Sequence, residues 1–160
     1  ACVGHPLDYA HRSWIEPGHW RTEDMQKANE DAAELYRSWQ KDVQVEEYRL
    51  EDAEVVLTGY GISGRICKSA VDILCAQGIK AGLIRPITVN PFPYAAYDHI
   101  DYGRVKAVLD VEMSIPAQFV KDVMVGVKDR CPIETCLCSG GNIMSRGKVL
   151  AAAKKIVEGK

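Results

Sequence analysis

The chain has 160 residues, 47% of them hydrophobic and 26% charged, the balance of a soluble globular domain with enough apolar material for a core of its own. A formal net charge of −2 and the lack of any long basic run give no electrostatic footprint for nucleic acid or for an anionic membrane surface. No apolar run approaches the ~20 residues that cross a bilayer, and Gly4, His5, Pro6 and Asp8 stand where a secretory leader would be apolar, so a cytoplasmic protein is expected.

Residues 1–21 are rich in His, Pro, Gly and aromatic residues and read as irregular. The opening at Ala1 without a methionine suits a fragment of a longer protein. A helix is predicted over about 22–41, because Met25, Ala28, Ala32, Leu35, Tyr36 and Trp39 follow three-and-four spacing. Thr22 is the expected cap, with Glu23 and Asp24 at the positive end and Arg37 and Lys41 at the negative end. Residues 1–42 are therefore read as a linker segment with one helix, and 43–160 as a separate domain.

After Val43 the pattern alternates. Residues 43–49 read as a strand and 54–58 as a short strand of the buried type. Next comes a helix over about 64–77 carrying Ile66, Ala70, Ile73 and Leu74 at helical intervals, with Gly78 closing it. A strand over 79–84 is expected to stop at Pro86. Asn90-Pro91-Phe92-Pro93 is excluded from regular structure, since its prolines lack donors and restrict their neighbours. Residues 105–111 form a further buried-type strand. The following helix takes Pro116 in its first turn, with Phe119, Val120, Val123, Met124 and Val127 as its stripe. A strand over 133–138, a turn at Ser139-Gly140-Gly141 and a helix over 145–157 complete the chain. Repeated strand–helix–strand units imply an α/β fold, a doubly wound and mainly parallel sheet with helices on both faces and right-handed crossovers.

Gly59-Tyr60-Gly61-Ile62-Ser63-Gly64 matches G-x-G-x-x-G between a strand and a helix, the context of a dinucleotide site. Gly59, Gly61, Ser63 and Gly64 are thus candidates for an anion site at a helix N-terminus. The acidic residue that would bind the ribose hydroxyls is missing, since the next strand ends in Leu83-Ile84-Arg85-Pro86, and Arg85 would suit only the 2′-phosphate variant. The competing reading is that any tight strand-to-helix turn favours glycine.

Of the six cysteines, Cys67 and Cys75 fall on one helix face, and Cys136 and Cys138 share one strand face. Cys131, Cys136 and Cys138 match neither zinc nor iron–sulfur spacing, so reduced thiols in or near the core are expected. Cys2 lies in the irregular start. His5, His11 and His19 form no recognised ligand set, and with His99 they read as solvated. Glu112 ends a strand beside Ser114, where α/β folds often place functional groups, but it has no evident partner base. No catalytic residue and no metal ligand is assigned.

One stretch is more specific than these motifs. Asp52-Ala-Glu-Val-Val-Leu-Thr-Gly-Tyr-Gly61 leads to Arg65-Ile-Cys-Lys-Ser-Ala-Val71, then to Gly78-Ile-Lys-Ala-Gly-Leu-Ile-Arg-Pro-Ile-Thr88 and Pro91-Phe-Pro93. In this order and spacing the segment resembles the transketolase C-terminal-like domain (domain II) of the α subunits of 2-oxoacid:ferredoxin oxidoreductases, with a leaning toward the branched-chain, 2-oxoisovalerate type. The resemblance covers about 45–157. Val111-Glu-Met-Ser114 followed by Gln118 is similar to a family stretch, but Ile115-Pro116-Ala117 makes this loop about one residue longer.

The resemblance implies a multisubunit enzyme that converts a 2-oxoacid to an acyl-coenzyme A. Thiamine diphosphate, magnesium and iron–sulfur clusters are held in its other domains or subunits, and electrons go to ferredoxin. This chain is then expected to bind no cofactor itself, to serve as a structural and assembly domain, and to meet the other domains and subunits of the complex. Tyr94, Tyr97 and the helix bearing Phe119 and Met124 are the expected contact elements, and a homodimer is an expected form of the chain alone. Two alternatives stay open: a stand-alone dinucleotide-binding or regulatory module, and the tail of a transketolase or E1-type enzyme.

Overall fold

A computed structural model describes residues 21–159; the irregular start with Cys2, His5, His11 and His19 lies outside them. The described residues fall into two compact units that divide between Trp39 and Gln40.

In the first unit, α1 spans Thr22–Ser38. Arg21, in extended conformation, precedes it and Thr22 is already helical, so Thr22 does not cap it. Glu23 and Asp24 occupy the first turn and Arg37 the last, each favourable to the helix dipole. Lys27 pairs with Asp31 at 3.3 Å, and Tyr36 meets Trp39 edge-on with centroids 4.7 Å apart. The helix stops three residues short of the predicted end, passing into a 3-10 turn at Trp39–Asp42.

The second unit is the α/β domain. Its strands are β1 (Val45–Tyr48), β2 (Val55–Thr58), β3 (Ala81–Pro86), β4 (Ala107–Glu112) and β5 (Ile133–Leu137). Helices α2 (Gly61–Ala76), α3 (Val120–Val127) and α4 (Arg146–Glu158) follow β2, β4 and β5. The sheet order is β1-β3-β2-β4-β5. β2, β3, β4 and β5 are parallel, and β1 adds antiparallel to the β3 edge, with Val45 opposite Pro86 and Tyr48 opposite Leu83. Pro86 therefore ends β3 from within, a position at a strand end where its missing N–H breaks no interior ladder.

The period-two pleat sorts the core into two layers. Val55 and Leu57 of β2, with Leu83, Leu109 and Val111, face a cluster completed by Cys67, Val71 and Leu74 of α2 and Val149 and Ala153 of α4. Val56, Ile84 and Val108 face the other cluster, which holds Phe92, Tyr97, Ile100, Phe119, Val123 and Val127. The four residues of β2 and the six of β4 are all buried, as expected of strands covered on both faces.

Local signals set the ends of the helices. Gly78, at φ +83°, follows α2 as the left-handed residue after a helix. Ser145 accepts a hydrogen bond from the Lys148 N–H at 3.2 Å and caps α4. The predicted start of α3 needs correction. Phe119 is its N-cap and Pro116 lies outside the helix, in a loop with a cis Ile115–Pro116 bond. A second cis bond, Asn90–Pro91, lies in the segment excluded from regular structure, and a 3-10 turn at Tyr94–His99 follows it.

Candidate functional site at the carboxyl edge of the sheet

In open parallel sheets, ligand sites gather where neighbouring strands send their chains to opposite faces. Here β2 leads to α2 on one face and its neighbour β4 leads to α3 on the other. The two loops that flank this crevice are the glycine turn and residues 113–119.

The four candidates of the glycine turn sit at the N-terminus of α2, which begins three residues earlier than predicted, at Gly61. A Cβ on Gly59 would lie 2.8 Å from the Val111 carbonyl oxygen, and one on Gly64 would lie 2.7 Å from the Gly59 oxygen and 2.8 Å from Arg85 Cγ. Both glycines thus let backbone segments approach more closely than any side chain allows. Gly61 has open space around it and is held at φ +55°, a left-handed conformation that glycine tolerates best. Ser63 is buried, and the Tyr60 ring lies 5.1 Å from that of Phe119, across the crevice. Chain packing accounts for Gly59 and Gly64 without a nucleotide.

Arg85, the residue suited to a 2′-phosphate, is already paired. Its guanidinium meets Glu46 of β1 at 3.0 Å, and Glu46 also accepts from Lys68 of α2. The Lys68 hydrogen bond outweighs burial and, with Arg85, lowers the Glu46 pKa.

Across the crevice, Glu112 is 1% exposed. Its carboxylate accepts from Ser114 Oγ, from the Gln118 N–H at 3.0 Å and from the Phe119 N–H at 3.1 Å. It therefore occupies the positive end of α3 from inside the protein. Burial pushes its pKa up, but these hydrogen bonds win and hold it below the ordinary value.

Asp110, two residues earlier on the same strand face, was not singled out from the sequence. It is fully buried, and neither of its carboxyl oxygens has a donor partner. Burial first and then the Glu112 charge push its pKa up to about 8. Protonation lets Asp110 donate to its carboxylate neighbour, whereas ionisation would put two buried charges side by side. The signal was present in Ala107-Val-Leu-Asp-Val-Glu112, where two acids share one face of a strand that reads as buried.

The cysteines behave as apolar residues. Cys67, Cys136 and Cys138 are in the core, Cys136 Sγ is 3.7 Å from Met144 Sδ, and desolvation raises the Cys67 and Cys136 thiols. Cys75 and Cys131 are half-buried. His99 is exposed, with Nδ1 2.9 Å from the Glu47 carboxylate. Among the described residues no three His, Cys, Asp or Glu side chains gather as a metal-ligand set, and none of their helices is long and apolar enough to cross a membrane. The expected contact elements divide. Tyr97 is fully buried with its hydroxyl 2.7 Å from Thr58 Oγ1, and Phe119 is buried too, so neither is a surface contact. Tyr94 is half-buried and bonded to Asp122 at 2.8 Å, while Met124 is exposed.

Comparison with known proteins places this geometry in a family. Residues 53–149 match the profile described as pyruvate:ferredoxin oxidoreductase core domain II. The ketoisovalerate oxidoreductase subunit VorB of Methanothermobacter marburgensis is 40% identical over 119 residues, covering 73% of this chain and 32% of that protein. The VorB subunit of Methanothermobacter thermautotrophicus is 34% identical over 137 residues, covering 84% and 38%. Among solved structures, the 2-oxoglutarate:ferredoxin oxidoreductase of Magnetococcus marinus, with 2-oxoglutarate, coenzyme A and succinyl-CoA bound, superposes with a TM-score of 0.71. It is 18% identical and covers 87% of this chain and 24% of its own, a likeness of fold alone. The chain thus spans about a third of the curated relatives it matches. With more than half of its length inside the profile, it belongs to the pyruvate:ferredoxin oxidoreductase core domain II family.

Proposed function

We propose that this chain is a non-catalytic assembly domain of a 2-oxoacid:ferredoxin oxidoreductase of the 2-oxoisovalerate type, working in the cytoplasm. The whole enzyme would convert the 2-oxoacid to an acyl-coenzyme A and reduce ferredoxin. Its thiamine diphosphate, magnesium and iron–sulfur clusters would be held by other domains and subunits. The observation that carries the reading is the state of Glu112, the one acid singled out at the crevice. The residue is 1% exposed and its carboxylate accepts from Ser114 and the backbone of α3, which supports a structural role for it. That no three His, Cys, Asp or Glu side chains gather as a metal-ligand set among the described residues is consistent with this assignment of the metals.

Removing residues 43–160 from the complete subunit and purifying the complex tests the assembly role. The shortened subunit is expected to be lost from the complex. Normal assembly with normal turnover would sink the proposal. Glu112→Gln in the intact complex separates assembly from catalysis: kcat per assembled enzyme should stay within about twofold of wild type. A loss of a hundredfold or more, the scale on which a general acid or base contributes, would show that the domain is catalytic.

A further inference from the structure

The two ends of the sheet differ in chemistry. Four loops leave the carboxyl ends of the parallel strands, the first running into the opening turn of α2: residues 59–64, 87–93, 113–119 and 138–145. None of the four contains a Lys, Arg, His, Asp or Glu, in a chain that is 26% charged. The sheet order sets them side by side, after β3, β2, β4 and β5 in turn. Each loop exposes a large apolar side chain: Ile87, then Tyr60 and Ile62, then Met113 and Ile115, then Ile143. Ile115 and Ile143 line one groove and are 61% and 72% exposed, with Lys148 at its rim.

The opposite end is the reverse. Lys80 pairs with Asp52 at 2.6 Å, Lys106 with Glu54 at 3.9 Å, and Arg130 with Asp98 at 2.7 Å. Among the described residues, the exposed large apolar side chains on the approach to this end are Met124 and Val125, on the last turn of α3. One end is thus finished for water and the other is not. Depletion of charge with Met, Tyr and aliphatic residues left outside is the composition of the centre of a protein–protein interface. None of the four loops carries a charged side chain of its own, and Lys148 stands only at the rim of the groove.

From this asymmetry we infer that the carboxyl edge is the face on which the domain docks, and that its occupant is the remainder of a VorB-like subunit. The length of the relatives argues for that occupant. The matched region is 32% and 38% of the two VorB subunits, so each carries well over half of its chain beyond this domain. The partner surface is accordingly uncharged and mainly aliphatic where it meets the four loops. This inference rests on the assembly reading and specifies its surface.

Hydrogen–deuterium exchange on this chain, alone and within the complex purified from the cells that make it, tests the docking face. Amides of the four loops should be protected at least tenfold more in the complex, while residues 49–54, 101–106 and 128–132 stay unchanged. Protection of the charged end instead, or of neither end, overturns the inference and leaves the assembly reading standing. Absence of the chain from any complex overturns both. Protection of the four loops in a homodimer of the isolated chain would make a second copy the occupant and would also refute the inference.

A charge-insertion arm guards against misfolding. Ile115→Lys and Ile143→Lys, at exposed positions, should leave the Tm of the isolated chain unchanged and cut its incorporation into the complex at least tenfold. Met124→Lys, exposed on α3 away from the edge, should not. Equal incorporation of all three variants contradicts the inference.

Discussion

Asp110 and Glu112 show how two carboxyl groups on one strand face settle into different charge states. Glu112 is surrounded by donors and stays ionised, while Asp110 has none and keeps its proton. The difference makes stability depend on pH. The unfolded chain releases the Asp110 proton near 3.8, whereas the native state holds it up to about 8. Between these values the native state binds more protons, so stability falls as pH rises, by at most about 1.4 kcal/mol per pH unit from this group. Glu112 acts in the other direction and only in acid, where stability drops as pH falls through its lowered pKa. Urea midpoints measured from pH 4.5 to 8.5 should therefore decline in the wild type. In Asp110→Asn the decline should be largely gone, because an amide donates to Glu112 at every pH. An unchanged slope in that variant would refute the shared-proton account.

At the scale of elements, the glycine turn works by fitting one element against another. Gly59 lets the chain leave β2 against the Val111 carbonyl, and Gly64 seats α2 against β3 and the Arg85 stem. Gly64→Ala and Gly59→Ala should each cost about 1–3 kcal/mol by overpacking, since backbone would have to move. Gly61→Ala should cost about 1 kcal/mol, from its left-handed backbone alone. Chemical denaturation of the three variants orders them, and a Gly64→Ala protein as stable as wild type would remove the packing explanation. Isothermal titration with millimolar NAD or NADP should show no saturable heat, as Arg85 is held by Glu46; a micromolar Kd would revive the nucleotide reading.

For the molecule as a whole, the division between Trp39 and Gln40 leaves β1 to α4 as a self-contained set of core contacts. In α1 no residue is buried, and Met25, Leu35 and Tyr36 are exposed. Helices without a packed face contribute little to stability. Residues 43–160 expressed without the preceding segment should therefore fold cooperatively, with a Tm within a few degrees of the longer chain. A Tm lower by ten degrees or more would show that residues 1–42 are part of the folded domain.

The local record in the sequence was enough for the strand–helix alternation, the buried strands, Gly78 and Ser145 at helix ends, and the family, through Gly-Leu-Ile-Arg-Pro-Ile-Thr88 and Pro91-Phe-Pro93. The strands, helices and helix ends depend on residues within a turn or a strand of each other, so periodicity and turn chemistry reveal them, whereas the family came from the resemblance of those segments. The uncharged carboxyl-edge loops were equally present in the letters. Their meaning emerged only when the order β1-β3-β2-β4-β5 set them next to one another. Tertiary structure alone decided that order, the pairing of Arg85 with Glu46, the burial of Tyr97, the exclusion of Pro116 from α3, and the proton on Asp110. Each of these depends on which faces dock across long sequence separations, and the free energy of burying a group is set by neighbours that local pattern does not encode.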